Sequence, residues 1–455
     1  MTHAFEFVTG AGLRVLALPR GGHNPALSAA NIPTQTPMKF IHAADIHLDS
    51  PLRGLTSYQN APVDALRTAT RDAFTNLVTE AIDLEVDFLV IAGDLYDGNW
   101  KDFNTGHFFV REMGRLNDAG IPAYLLYGNH DAESEMTRRL MFPPNVHVFD
   151  ARKPVTHRIE SLHVALHGRS FKDAATVENL AVGYPDPVAG WLNIGVLHTA
   201  LEGHTVHARY APCSLAELNA KRYDYWALGH VHEHAVLQTN PWVVFPGNLQ
   251  GRHIREAGPR GAVLVTADDT GIVSVDRLIV DVMRWEHLSV DASSADDLHA
   301  VVGMAGRALE ALLALQSDRK PLSVRVTITG RSAAHGDLFG SHAQLREEVL
   351  AQAAALGGDR LWIEKVRVET SPMTDASQIR ERADAISDLQ ALLDQVPDDE
   401  AFMRSLAAEL QLLAGRAPHE LNESVSDFEA IRLGKVGDIV RSVTPLLIAQ
   451  LAQAR

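Results

Sequence analysis

VDFLVIAGD, residues 86–94, places five consecutive apolar residues, Phe88 to Ala92, directly ahead of Gly93 and Asp94. A run this short and without alternation reads as a strand buried on both faces, as found in parallel sheets covered by helices. Three further segments repeat the pattern and end in polar residues: IPAYLLYGNHD (121–131), LNIGVLHT (192–199) and YDYWALGHVH (223–232). FNTGHFFVREMGRLNDAG, between the first two, reads as a helix closed by Gly120. Leu66, Phe74, Leu77, Val78, Ala81 and Ile82 give a second helical stripe just before residue 86. The expectation is an α/β fold whose strands alternate with covering helices.

Working outward, KFIHAADIH follows Met38, and residues 1–37 read as an N-terminal extension or linker that includes the Gly/Pro/Ser/Asn-rich GGHNPALSAANIPTQTP. The first domain is expected over 38–283. A β-α-β-α-β series follows over 284–371, through WEHLSVD, LSVRVTITG and LWIEKVRVET, and predicts a smaller second domain. Residues 372–455 have only helical spacing, as in ISDLQALLDQV and AFMRSLAAELQLLAG.

With 455 residues, 46% of them hydrophobic and 22% charged, the chain is long enough for about three domains and has ordinary globular composition. Its one cysteine, Cys213, excludes an intramolecular disulfide and any multi-cysteine metal site, and fits a reducing, cytoplasmic compartment. No run of 18 apolar residues or signal-peptide pattern is present, so no membrane span is expected. The balance of 41 basic and 57 acidic residues gives −16, which opposes binding of polyanions by bulk charge.

Five motifs end or follow the strands: Asp45-Ile46-His47, Gly93-Asp94, Gly128-Asn129-His130-Asp131, His198, and Gly229-His230-Val231-His232. Together they bring carboxylate, amide and imidazole donors to the carboxyl ends of strands, where α/β sheets place their sites. That inventory suits two metal ions about 3.5–4 Å apart, one carboxylate bridging them. Asp45 and His47 alternate along the chain and can grip one ion, while Asp94 is the natural bridge. Oxygen and nitrogen donors without thiolate suit Mn, Fe, Zn or Co, with Mg also considered. His130 is the candidate catalytic group, with Asp131 expected to hold its ring. The other 17 histidines, among them His42, His147 and His167, are read as surface or hydrogen-bonded core residues.

The order of these motifs resembles the calcineurin-like metallophosphoesterases. AADIHLDSPLRGL, AGDLYDGNW, YGNHDAES and FPGNLQGRHIREAGPRG are, more narrowly, similar to the YhaO branch of the SbcD-type DNA repair exonucleases. The resemblance implies a two-sheet α/β sandwich with a β/α capping domain and a helical C-terminal region. It also implies two Mn ions, a homodimer and an SMC-like coiled-coil ATPase partner. By motif, the first ion would take Asp45, His47, Asp94 and His232, and the second Asp94, Asn129, His198 and His230. The implied activity is DNA phosphodiester hydrolysis in repair, exonucleolytic and extending to single-strand endonuclease action.

Two departures stand out. Asp97 occupies the place where some relatives carry a second catalytic histidine, and Pro246-Gly247-Asn248 replaces a Pro-Gly-Ser turn. Arg53, Asn248, Arg252 and His253 are candidate substrate contacts. Two rival readings use the same residues: a phosphodiesterase or phosphomonoesterase for small molecules, favoured by the −16 charge, and a subunit whose helical tail recruits an ATPase.

Overall fold

The five residues Phe88–Ala92 form a strand buried on both sides because successive side chains serve two different cores. Phe88, Val90 and Ala92 face a second sheet, while Leu89 and Ile91 face two helices. The computed structural model describes residues 37–50, 63–97, 103–133, 140–201, 210–373 and 385–416, together with 431, 436–437, 439–440, 443–444 and 447. Residues 1–36 and Arg53 lie outside them.

The chain starts in the first sheet with β1 (Met38–Ala43), α1 (Val63–Asp83), β2 (Phe88–Ala92), α2 (Phe103–Asp118), β3 (Ala123–Leu126), α3 (Asn129–Glu133) and β4 (Val146–Val148). These four strands are parallel neighbours. α1 and α2 cover the outer face, burying Phe74, Leu77, Phe109 and Met113 against Ile41, Leu89, Ile91 and Leu125. Gly120, at φ +74°, follows α2 in the left-handed conformation expected of a helix stop.

The chain then crosses to a second sheet. It comprises β5 (Val155–Ile159), β6 (Val164–Gly168), β7 (Leu192–His198), α4 (Leu215–Ala220), β8 (Tyr225–Gly229), β9 (Ala235–Thr239) and β10 (Trp242–Phe245). β6, β7, β8 and β10 run parallel, with β5 and β9 antiparallel at the edges. β11 (Gly261–Asp268) and β12 (Gly271–Ile279) return to the first sheet, antiparallel to β1 and to each other. Phe40, Phe88, Tyr124, Leu166, Val196 and Tyr225 fill the space between the sheets. His42 is buried among them, with its ring nitrogens satisfied by the Tyr225 hydroxyl at 3.0 Å and the Leu228 carbonyl at 3.1 Å.

A third, all-parallel sheet contains β13 (Arg284–Asp291), α5 (Leu298–Leu315), β14 (Leu322–Ser332), α6 (His335–Gly340), α7 (His342–Gly357) and β15 (Leu361–Pro372), in strand order β13-β14-β15. α5 is long and apolar enough, by length and composition alone, to cross a membrane. Here its Val301, Val302, Ala305 and Leu309 pack in the core of this unit. Two helices follow, α8 (Ala385–Gln395) and α9 (Glu400–Arg416). β13 is also tied to the sandwich: buried Trp285 donates its indole N–H to the Gly251 carbonyl at 2.9 Å. The Arg284 guanidinium donates to Asp281 at 3.0 Å and to Asp318 at 2.5 Å.

Candidate metal centre

The site forms where β1, β2, β3, β7 and β8 end together. Asp45 donates its backbone N–H to the Gly93 carbonyl at 3.0 Å, and His47 donates to that of Asp94 at 3.1 Å, so the first two motif loops lock each other. Asp45, His47, Asp94 and His230 all have positive φ, at 51°, 47°, 52° and 100°. Each such non-glycine residue costs about 1–3 kcal/mol and persists where the surroundings over-determine it. Gly93 and Gly128 are needed for room: a Cβ on the first would strike the His198 ring, and on the second the Asp94 carboxylate.

Beside a rim group of His47, Asp97 and His130, two groups of donor atoms converge: Asp45, His47 and His232 place ligand atoms within 4.8 Å of one another, as do Asp45, Asp94 and His198. Asp94 Oδ2 faces both groups, 3.4 Å from His198 Nε2 and 3.9 Å from His47 Nε2, while its Oδ1 accepts the His130 backbone N–H at 3.0 Å. Asn129 Oδ1 is 3.0 Å from His198 Nε2. The fifth motif contributes through its backbone too, for the His230 N–H donates to both Asp45 carboxylate oxygens at 2.9 and 3.1 Å. The His230 ring packs edge-on against His198, with centroids 5.3 Å apart.

Second partners fix which ring nitrogens point inward. His198 Nδ1 donates to the Ala92 carbonyl at 3.0 Å, leaving the Nε2 of a neutral ring as a lone pair aimed at Asn129 and Asp94. His232 Nδ1 donates to Glu256 Oε1 at 2.7 Å, so its Nε2 faces His47 Nε2, 3.2 Å away. Carboxylate and carbonyl oxygens and imidazole lone pairs buried face to face fit divalent cations, which satisfy them together. Burial opposes charge on His198, yet Asp94 and then Asp45 raise it to about 9, so the carboxylates draw positive charge to its Nε2, which a proton or a metal ion can supply. His47 is lowered to about 3, chiefly by burial and then by the Arg252 guanidinium.

Asp131 differs from its expected role. Its carboxylate is buried and accepts the backbone N–H groups of Leu95, Tyr96 and Gly128 at 3.2, 3.0 and 3.0 Å. It ties the Gly93-Asp94 loop to the Gly128-Asn129 loop, and the carboxylate beside the His130 ring belongs to Asp97, whose Oδ1 is 3.5 Å from His130 Nδ1. Asn248 is likewise corrected. It is 1% exposed, and its amide donates to Gln250 O at 2.9 Å and Glu256 Oε2 at 3.0 Å, so it braces Glu256 beneath the site and does not face a substrate. Arg252 lies at the site, donating to Ser50 Oγ at 3.1 Å and to Glu256 at 3.3 Å. His253 is half-buried with Nε2 3.8 Å from Glu256. Glu256, the residue on which these contacts meet, has no counterpart among the sequence candidates, although it lies in the quoted GRHIRE stretch.

Fold and donor set define a metal-dependent phosphoesterase. Residues 38–234 match the calcineurin-like phosphoesterase family and residues 285–371 match the middle domain of metallophosphoesterase YhaO. The chain belongs to the calcineurin-like metallophosphoesterases, in their YhaO branch. It is 32% identical over 299 residues to the "Uncharacterized metallophosphoesterase YhaO" of Bacillus subtilis (strain 168), covering 65% of this chain and 72% of that one. It is 27% identical over 286 residues to a "DNA double-strand break repair protein Mre11" of Methanopyrus kandleri, covering 54% of this chain and 58% of the relative. A protein of the same description from Haloferax volcanii is 28% identical over 270 residues, 58% of this chain and 57% of its own.

Proposed function

We propose that the chain is a two-metal DNA phosphodiesterase, an exonuclease working in DNA repair as a homodimer with a coiled-coil ATPase. One observation carries the choice of DNA: the similarity to proteins described as acting in DNA double-strand break repair extends over 286 residues, far beyond the motifs. The dimer and the ATPase rest on the resemblance in sequence. The exposed Leu392 of α8 and Phe402 and Leu412 of α9 are apolar positions suited to a partner.

Asp45, His47, Asp94 and His232 would hold one ion, and Asp94, Asn129, His198 and His230 the other. Two divalent cations there, Mn first among them, supply activation of water and neutralisation of charge on the phosphate. Around them the protein does three things. Glu256 and the Ala92 carbonyl fix the His232 and His198 rings. The interlocked loops hold the carboxylates in place before any substrate arrives. His130, with a side chain 37% exposed at the edge of an otherwise buried cluster, is placed to give a proton to the departing deoxyribose oxygen.

Purified protein with Mn is to be assayed on linear duplex DNA, circular single-stranded DNA and bis-p-nitrophenyl phosphate, with His130→Ala as control. Loss of DNA cleavage in the variant supports the reading. Hydrolysis of the small diester with DNA untouched, also after adding a coiled-coil ATPase, favours the small-molecule alternative that the −16 charge suggests.

A further inference from the structure

The stretch GRHIREAGPRG, residues 251–261, lies between the metal centre and β13 and is gripped from both sides. Trp285 of β13 is fully buried with Ala69, Ile254 and Met283. Its indole N–H donates to the Gly251 carbonyl at 2.9 Å, and its backbone carbonyl accepts the Gly258 N–H at 2.9 Å, so one residue holds both ends of the 251–258 loop. The Gly251 carbonyl and the Arg252 N–H are opposite edges of one planar peptide group. That N–H donates to Glu256 Oε2 at 2.7 Å, and Glu256 Oε1 accepts from His232 Nδ1 at 2.7 Å. A line of three hydrogen bonds thus runs from a side chain of the third sheet, through one peptide and one carboxylate, to a metal-facing histidine. Gly251 leaves room for it, because a Cβ there would come within 2.6 Å of the Glu256 carbonyl and 3.0 Å of the Trp285 ring. The base of β13 is fixed as well: fully buried Asp281 accepts the Arg260 backbone N–H at 2.8 Å, Arg284 Nε at 3.0 Å and Lys320 Nζ at 2.5 Å.

We propose that Trp285 is a positioning residue of the metal centre: through its indole the third-sheet unit sets the Gly251-Arg252 peptide, that peptide holds Glu256, and Glu256 aims His232. This rests on the reading of His232 as a ligand in a two-ion centre. A peptide whose carbonyl is tied to a buried indole can present its N–H in one direction only, and here that direction is Glu256. Hydrogen bonds in series also polarise one another, so the indole strengthens the Arg252–Glu256 bond beyond fixing its direction. His198 is oriented separately by the Ala92 carbonyl, so the effect belongs to the ion that His232 would hold. The coupling is reciprocal: an ion that fixes His232 also steadies the loop and its hold on Trp285.

Calorimetric titration of the full chain with Mn compares wild type, Trp285→Phe, Glu256→Ala and the double variant. Trp285→Phe keeps a buried ring and removes the donor. It is expected to weaken one Mn site by about tenfold and to leave the other within about twofold. The double variant should bind no more weakly than Glu256→Ala alone, because the indole acts through that carboxylate. A residue that only supports the fold would weaken both sites, or add its loss to that of Glu256→Ala. Either result, or no loss at all, would overturn the assignment. Hydrogen exchange of the wild type needs no variant: Mn is expected to slow exchange in peptides covering 251–258 and 284–291, and unchanged exchange in both would overturn it equally. Wild type that binds no Mn would remove the two-ion reading itself. Two ions in wild type with unshifted affinities in Trp285→Phe would remove this inference alone.

Discussion

Nδ1 of His232 lies 2.7 Å from Oε1 of Glu256, a carboxylate that also receives Arg252, the Asn248 amide and the Arg252 backbone N–H. That bond aims His232 at the ligand cluster, and hydrogen-bonded carboxylates behind metal-binding histidines typically matter 10–100-fold for affinity, so Glu256→Ala is expected to weaken one of two Mn sites by about that factor. Calorimetric titration should resolve one weakened and one unchanged site. Two unchanged sites would show that His232 needs no such support.

Asp94 behaves differently because one of its oxygens faces both donor groups. Asp94→Ala should abolish both sites together, leaving less than one Mn per chain by elemental analysis. Retention of one tightly held ion would mean that the clusters bind independently.

His130 is not among the assigned ligands. The His130→Ala variant should keep two Mn and lose about 10²–10⁴ in kcat on unactivated esters. Fewer than two ions in this variant would place His130 in the ligand set.

His42 gives a stability prediction away from the chemistry. Burial, the largest influence, lowers its pKa from 6.5 to about 3, so the folded protein keeps the ring neutral while the unfolded chain protonates it. Stability is then unaffected above 6.5, falls as the pH drops below 6.5, and the full loss, on the order of several kcal/mol, is reached near 3. Urea unfolding with EDTA present, from pH 7 to 4, should show a shallower decline for His42→Gln than for wild type. Parallel curves would contradict this.

The sheet carrying the site was legible because Phe88–Ala92 and its parallel neighbours are buried on both faces, and a sequence with no polar positions leaves few alternatives. The flanking strands were not. β4 has three residues, and β9 and β12 alternate polar and partly exposed positions that look like loops. The motif residues could be grouped because each sits within a few residues of a strand end. Contacts made across the fold left no such trace: Glu256 meets His232 from 24 positions away, and Asp97 reaches His130 from another loop. Adjacency misled at Asp131, which follows His130 directly yet turns inward to backbone N–H groups.

The account rests on two ions at the strand ends, and anomalous diffraction from Mn-soaked crystals tests it most directly. Two peaks are expected, one among Asp45, His47, Asp94 and His232 and one among Asp94, Asn129, His198 and His230. A single peak, or one bound by Asp97 and His130, would contradict it.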